Sequence, residues 1–148
     1  MDIKRILCCV DFSVNADKAF EAAVDLAAKY QAQLHLIHVL PPVVNPLVVD
    51  IEVAVPEEST QALVLKLEEQ MHNDYARRFK NGVETIFVVK TGHVSSEILN
   101  YLMDEKIDIV VLGAYGLSGV ELVLFGSVAK RIAHKAPCTV MIVRDKGN

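Results

Sequence analysis

Five short apolar runs alternate with four stretches of helical periodicity, and this alternation constrains the fold more than any other feature of the chain. Residues 3–10 (IKRILCCV), 34–39 (LHLIHV), 83–89, 107–112 and 138–143 (CTVMIV) have the length and continuous apolar character of strands covered on both faces. After the first run, Ala16, Phe20, Ala23, Val24, Ala27 and Ala28 recur at helical spacing, with Ser13 or Asn15 placed to act as N-cap. A second stripe, Val64, Leu67, Met71, Tyr75 and Phe79, starts after Glu57 and stops at Asn81-Gly82. Ile98, Leu99, Leu102 and Met103 mark a third helix that Ser95 or Ser96 would cap. The fourth begins near Gly126, turns Val128, Ala129, Ile132 and Ala133 inward, and is closed by Pro137. Each helix must carry the chain back for the next strand, so the sheet is expected to be parallel. The expectation is a single α/β domain, a five-stranded parallel sheet with helices on both faces. Strand orders 3-2-1-4-5 and 2-1-3-4-5 both satisfy the pattern. Either one places ligands outside the carboxyl ends of the strands, where the order reverses.

The apolar runs fall far short of the ~20 residues that a membrane helix needs. No charged-then-apolar leader opens the sequence, so the expected location is the cytoplasm. A net charge of −4 without a basic stripe offers no attraction to nucleic acid or to an anionic membrane. The local exception, Lys130, Arg131, His134 and Lys135, reads as a complement to the negative end of the last helix. Cys8, Cys9 and Cys138 lie within apolar runs, are odd in number and form no CxxC. They read as buried thiols, not as a disulfide framework or redox centre.

Three loops lie where chemistry is expected. After the first strand, Asp11-Phe12-Ser13 puts a carboxylate at the mouth of the crevice. Asp11 fits two readings there, a ligand for a ribose, an amine or a cation, and a helix N-cap with a first-turn acid. After the third strand, Lys90-Thr91-Gly92-His93 lacks the acid a phosphorylated receiver would carry. A flavodoxin-like phosphate loop after the first strand is missing too, which disfavours the 2-1-3-4-5 order. After the fourth strand comes Gly113-Ala114-Tyr115-Gly116-Leu117-Ser118-Gly119, and then Gly126-Ser127-Val128. Glycines at 113, 116 and 119 allow close approach of the backbone and positive φ. Gly126-Ser127 falls at a helix start, where free N–H groups and the dipole favour an anion. Four of the chain's seven glycines follow this one strand, which favours a phosphate cradle over ordinary turns. Neither GxxxxGK[ST] nor GxGxxG is present, so it is not a Walker loop or a dinucleotide fingerprint.

Gly113-x2-Gly116-x9-Gly126-Ser127 resembles the ATP-binding signature of universal stress proteins, G-x2-G-x9-G-[ST]. Val10-Asp11-Phe12-Ser13, His38-Val39, Gly92 with Ile98, the run from Asp108 into Gly113 and Pro137-Cys138-Thr139-Val140 are similar to the family as well. The resemblance implies the 3-2-1-4-5 order and a homodimer joined through the last strand, 138–143. It implies ATP, with Mg²⁺ or Mn²⁺, held by Asp11 at the nucleoside and by the backbone of Val39 at adenine. Gly113 and Gly116 would line the ribose and phosphates, and Gly126, Ser127 and Val128 would hold the phosphates. Where many members carry a histidine and a basic residue, this chain has Tyr115 and Leu117, and Glu121 adds negative charge nearby. Cys9 replaces a small residue or proline. Binding weaker than that of the best ATP binders is therefore expected.

Hydrolysis would need a base and a metal, and Asp11 is the strong base candidate. His38 and His35 read as satisfied core histidines, while His93, at a loop–helix junction, lies nearer the crevice. The leading expectation is an ATP-binding regulatory module with slow or absent hydrolysis. The alternatives are a slow ATPase or phosphotransfer protein, and a nucleotide-free dimeric scaffold. Residues 40–56 form a long connection with an apolar middle, expected to act as a lid or a dimer contact.

Overall fold

A computed structural model describes residues 1–42, 57–79, 82–115 and 126–145. The strands are β1 (Arg5–Cys9), β2 (Gln33–Leu40), β3 (Thr85–Thr91), β4 (Ile109–Gly113) and β5 (Thr139–Val143). The helices are α1 (Val14–Tyr30), α2 (Glu57–Tyr75), α3 (Val94–Asp104) and α4 (Ser127–Lys135), with a 3₁₀ turn at Ala76–Arg78. All pairings are parallel, in the order β3-β2-β1-β4-β5. The chain works outward from β1 through β2 to β3, then crosses back to β4 on the other side of β1. The carboxyl ends of β1 and β4 therefore flank the switch point where an open α/β sheet forms its crevice.

Side-chain alternation along the buried strands divides the core in two. Ile6, Cys8, Leu34 and Leu36 pack with Phe20 and Val24 of α1 and with Met71 and Tyr75 of α2. Leu7, Ile37, Val39, Val110 and Leu112 pack on the opposite face with Ile98 and Leu102 of α3 and Ile132 of α4. Because both faces are covered, β1 and β4 read as unbroken apolar runs.

Several element ends differ from the sequence expectation, each for a local reason. Of the two candidate caps for α1, Ser13 serves: its Oγ accepts the Ala16 N–H at 3.1 Å. β3 begins two residues later than expected and runs on through Lys90 and Thr91, which pair with Val39 and Leu40. The backbone ladder follows β2 to its end regardless of side-chain polarity, so these two residues belong to a strand, not a turn. Consequently α3 starts earlier than Ser95 or Ser96 would allow. Its N-cap is His93, without a side-chain cap bond, and Ser95 is buried inside the first turn. The α2 stripe divides: Met71 and Tyr75 are fully buried, while Val64 and Leu67 are half-buried. The helix gives way to the 3₁₀ turn before Phe79, which is extended and packs against the core by itself. Cys138 precedes β5 and does not belong to it. Residues 43–56 of the expected lid lie outside the described residues. Among the described residues no helix is long and apolar enough to cross a membrane.

Candidate functional site

A pocket of about 470 Å³ opens at the carboxyl ends of β1, β2 and β4. That volume lies within the range typical of small-molecule and cofactor sites. Cys9, Val10 and Asp11 line it from β1, Ile37 to Val39 from β2, and Leu112 to Tyr115 from β4 and the residues after it. Val94 and Ile98 close it from α3, and Gly126 to Ala129 close it from the start of α4. Asp11, Val39, Gly113, Gly126, Ser127 and Val128, singled out in the sequence, are thus brought to one cavity. Gly116, along with Leu117 and Glu121, lies outside the described residues.

The turn after β1 separates the two readings of Asp11. The capping role belongs to Ser13, and the first-turn acid of α1 is Asp17. Asp11 instead accepts the N–H of Ser13 on its Oδ1 at 3.0 Å while lining the pocket. Among the described residues it is the only carboxylate in that lining, and no lysine or arginine joins it. Below it, the Cys9 thiol is pushed up to about 12 by burial first, then by the charge of Asp11 and by Cys138. The thiol that Cys9 brings to the lining is therefore neutral, alongside the aliphatic side chains of Val10, Ile37 and Leu112.

The glycines act differently from the sequence expectation. Among the described glycines, positive φ occurs at Gly82 and Gly92, both outside the pocket lining. Gly113 is required by packing inside the fold: a Cβ there would lie 2.8 Å from Asn15 Cβ and 2.9 Å from Asn15 backbone carbon. The end of β4 presses on the first turn of α1, and no side chain fits between them. Gly126, the N-cap of α4, has ordinary extended angles of φ −65 and ψ 163. Its N–H donates to the Ala114 carbonyl at 2.7 Å, so it is not a free donor for an anion. The donors left for an anion are the first-turn N–H groups of Ser127, Val128 and Ala129, which have no carbonyl four residues back within the helix.

Sequence reasoning missed several lining residues. Ala129 and Ile98 carry apolar helical periodicity, which signals burial but not which cavity a residue borders, and Val94 lies before the expected start of its helix. His38 is half-buried and belongs to the lining, not to the closed core. Its Nδ1–H donates to the Val10 carbonyl at 2.8 Å, and its ring centroid lies 5.0 Å from that of Phe12. His35 is structural, as expected: it is buried between Tyr101 and Gln33, at 2.7 and 2.8 Å. His93 caps α3 in the open, away from the described lining. Among the described residues no cluster of three or more His, Cys, Asp or Glu could hold a metal.

The sequence matches the universal stress protein family over residues 2–144. The chain belongs to this family. Universal stress protein YxiE of Bacillus subtilis is 29% identical over 145 residues, covering 95% of this chain and 98% of the relative. The structure of universal stress protein UspA from Lactobacillus plantarum superposes with a TM-score of 0.76 at 25% identity, covering 97% and 99% of the two chains. A universal stress protein solved in complex with cAMP superposes at 0.69 with 21% identity, covering 97% and 98%. At that identity the likeness speaks for the fold. The 3-2-1-4-5 order is the one this chain adopts.

Proposed function

We propose that this universal stress protein domain binds an adenine nucleotide, with ATP the leading candidate, as a regulatory module with slow or absent hydrolysis. The observation that carries this reading is the polarity of the pocket. Its described lining brings together a carboxylate, Asp11, the first turn of α4 from Ser127 to Ala129, and aliphatic side chains of β2, β4 and α3. A nucleotide has parts that match each of these: hydroxyls that seek an acceptor, a flat apolar base, and an anion that seeks N–H donors. The relative solved with cAMP supports an adenine ligand in this fold. Val39 would meet the base through its backbone, and Ser127 and Val128 would receive the phosphates. Mg²⁺ or Mn²⁺ would accompany the triphosphate and offset its charge. Among the described residues the lining holds no lysine or arginine, which argues for modest affinity.

Titration calorimetry with ATP, cAMP and GTP in the presence of Mg²⁺ tests the reading. Saturable binding of an adenine nucleotide at one site per chain supports it, and heats equal to dilution for all three refute it. A single-turnover assay with labelled ATP then separates a binder from an enzyme.

The same reading includes a homodimer along β5. That strand is a sheet edge, with Met141 39% exposed and Val140, Ile142 and Val143 half-buried. An apolar edge of this kind is a template for pairing. Sedimentation of the parent and of Met141→Lys tests it: a dimer that becomes a monomer is expected, and a monomeric parent refutes it.

A further inference from the structure

Three described residues other than glycine have positive φ: Phe12 at 63, Gln31 at 55 and Lys106 at 51. Gln31 is the C-cap of α1, and Lys106 follows the end of α3. The left-handed region is an ordinary way for a helix to stop, so these two need no further account. Phe12 has no helix before it. It stands between β1 and α1, and a bulky side chain is disfavoured in that conformation. Strain of this kind persists where the surroundings over-determine it, and it gathers at functional sites.

The surroundings of Phe12 do over-determine it. Its ring lies 5.0 Å from the His38 ring and 6.3 Å from the Tyr75 ring, nearly parallel to the latter. Both neighbours are themselves fixed. The imidazole of His38 is bonded to the Val10 carbonyl. Tyr75 is fully buried, with Phe20 at 4.7 Å and the Arg78 guanidinium 5.4 Å from its ring centre. On either side of Phe12 in sequence lie Asp11, which lines the pocket, and Ser13, which caps α1. The Asp11 carboxylate accepts the Ser13 N–H across Phe12, so the backbone at residue 12 sets where the carboxylate sits relative to its partner. Phe12 itself is absent from the described lining.

We infer that Phe12 is a positioning residue, whose ring, held between His38 and Tyr75, keeps its own backbone left-handed and so fixes the Asp11 carboxylate in the pocket. The inference rests on the nucleotide-binding reading above and names the residue that presets the acid of the described lining. It also links α2 to the pocket through a side chain that no ligand would touch.

ATP–Mg²⁺ titrations of four variants decide it: Phe12→Ala, Phe12→Gly, Phe12→Tyr and Phe12→Ala combined with Asp11→Asn. Phe12→Ala should weaken binding about tenfold, the loss of one hydrogen bond to a charged group. Phe12→Tyr keeps the ring and should bind as the parent does. Phe12→Gly tolerates positive φ without the ring and should fall between Ala and the parent. In the Asp11→Asn background the carboxamide oxygen can still accept from Ser13, but the charge is gone, so Phe12→Ala should change affinity less than twofold. An equal loss in both backgrounds would overturn the inference, as would a lowered melting temperature with unchanged affinity. If Phe12→Ala does not fold, Phe12→Leu, which keeps apolar bulk without a ring, replaces it throughout. A parent that binds no adenine nucleotide overturns the functional reading and this inference together. Binding by the parent without coupling overturns this inference alone.

Discussion

Gly113, the last residue of β4, and Asn15, in the first turn of α1, approach so closely that a Cβ on the glycine would lie 2.8 Å from the Cβ of the asparagine. Gly113→Ala should therefore destabilise the domain with or without nucleotide, by about 1–3 kcal/mol, the usual cost of overpacking. Asn15→Gly in the same chain should restore only part of the loss, since backbone atoms of residue 15 also lie at 2.9 and 3.0 Å. Urea unfolding of the two variants and the parent checks this. An unchanged midpoint for Gly113→Ala would mean that β4 and α1 separate freely.

At Gly126 the outcome should be the reverse. The angles there suit any residue, so Gly126→Val should fold and melt close to the parent while crowding the pocket where the proposed phosphates would sit. Loss of ATP binding with a retained melting curve is the expected pair of results. Ser127→Ala should cost about 1–2 kcal/mol of binding, one hydroxyl donor to a charged group. Unimpaired binding by Gly126→Val would put the phosphates elsewhere.

The network around His35 should make the fold acid-sensitive. Tyr101, whose hydroxyl burial pushes up to about 12, donates to His35 Nδ1, and His35 Nε2–H donates to Gln33 Oε1. The Gln33 amide is oriented in turn by its bond to Glu84 Oε1 at 2.8 Å. Burial holds the His35 pKa below its ordinary value; Glu105 and Glu84 pull it up and Arg5 pushes it down. The folded state therefore binds this proton less readily than the unfolded state. Its contribution is intact above about pH 6.5 and is lost as pH falls from there towards the lowered folded value. Unfolding midpoints at pH 8 and pH 5.5 should differ more for the parent than for His35→Gln. Tyr101→Phe should cost about 1–3 kcal/mol at pH 8, because it leaves a buried imidazole nitrogen without a donor.

The thiols should be slow to react. Burial pushes Cys8, Cys9 and Cys138 above their ordinary range, and the Asp11 charge adds to the effect at Cys9. Little thiolate is then available at neutral pH. An aromatic disulfide reagent at pH 8 should modify the native protein far more slowly than the same chain in denaturant. Cys8 is fully buried and should be the slowest, with Cys9 and Cys138, each half-buried, ahead of it; full, fast labelling of the native chain would contradict the prediction.

The fold was legible because two periodicities alternate, and each leaves a mark on sequence. Element ends were less so, because ladders and capping bonds set them and these ignore hydropathy: Lys90 and Thr91 extend β3 because Val39 and Leu40 are there to pair with. At the site, Asp11 and the Gly126-Ser127 helix start were legible from their position after strands. The tasks of the glycines were not, since composition cannot distinguish a glycine that admits a ligand from one, such as Gly113, that admits a helix. Phe12 was invisible as a turn residue because nothing in its chemistry announces positive φ. Ile98 carried the ordinary pattern of a core helix and Val94 fell before its expected cap, and only their place in three dimensions puts them beside the crevice.

Ala114 offers its N–H to the Val143 carbonyl at 2.9 Å and accepts the Gly126 N–H at 2.7 Å. One residue is thus spliced to the last residue of the edge strand and to the first step of α4. A displacement of α4 by an anion at its start would reach the rim of the sheet through these two hydrogen bonds. If the domain pairs along that rim, occupancy and association become coupled, and whatever factor a ligand applies to the monomer–dimer equilibrium, dilution of the protein must return to the ligand's affinity.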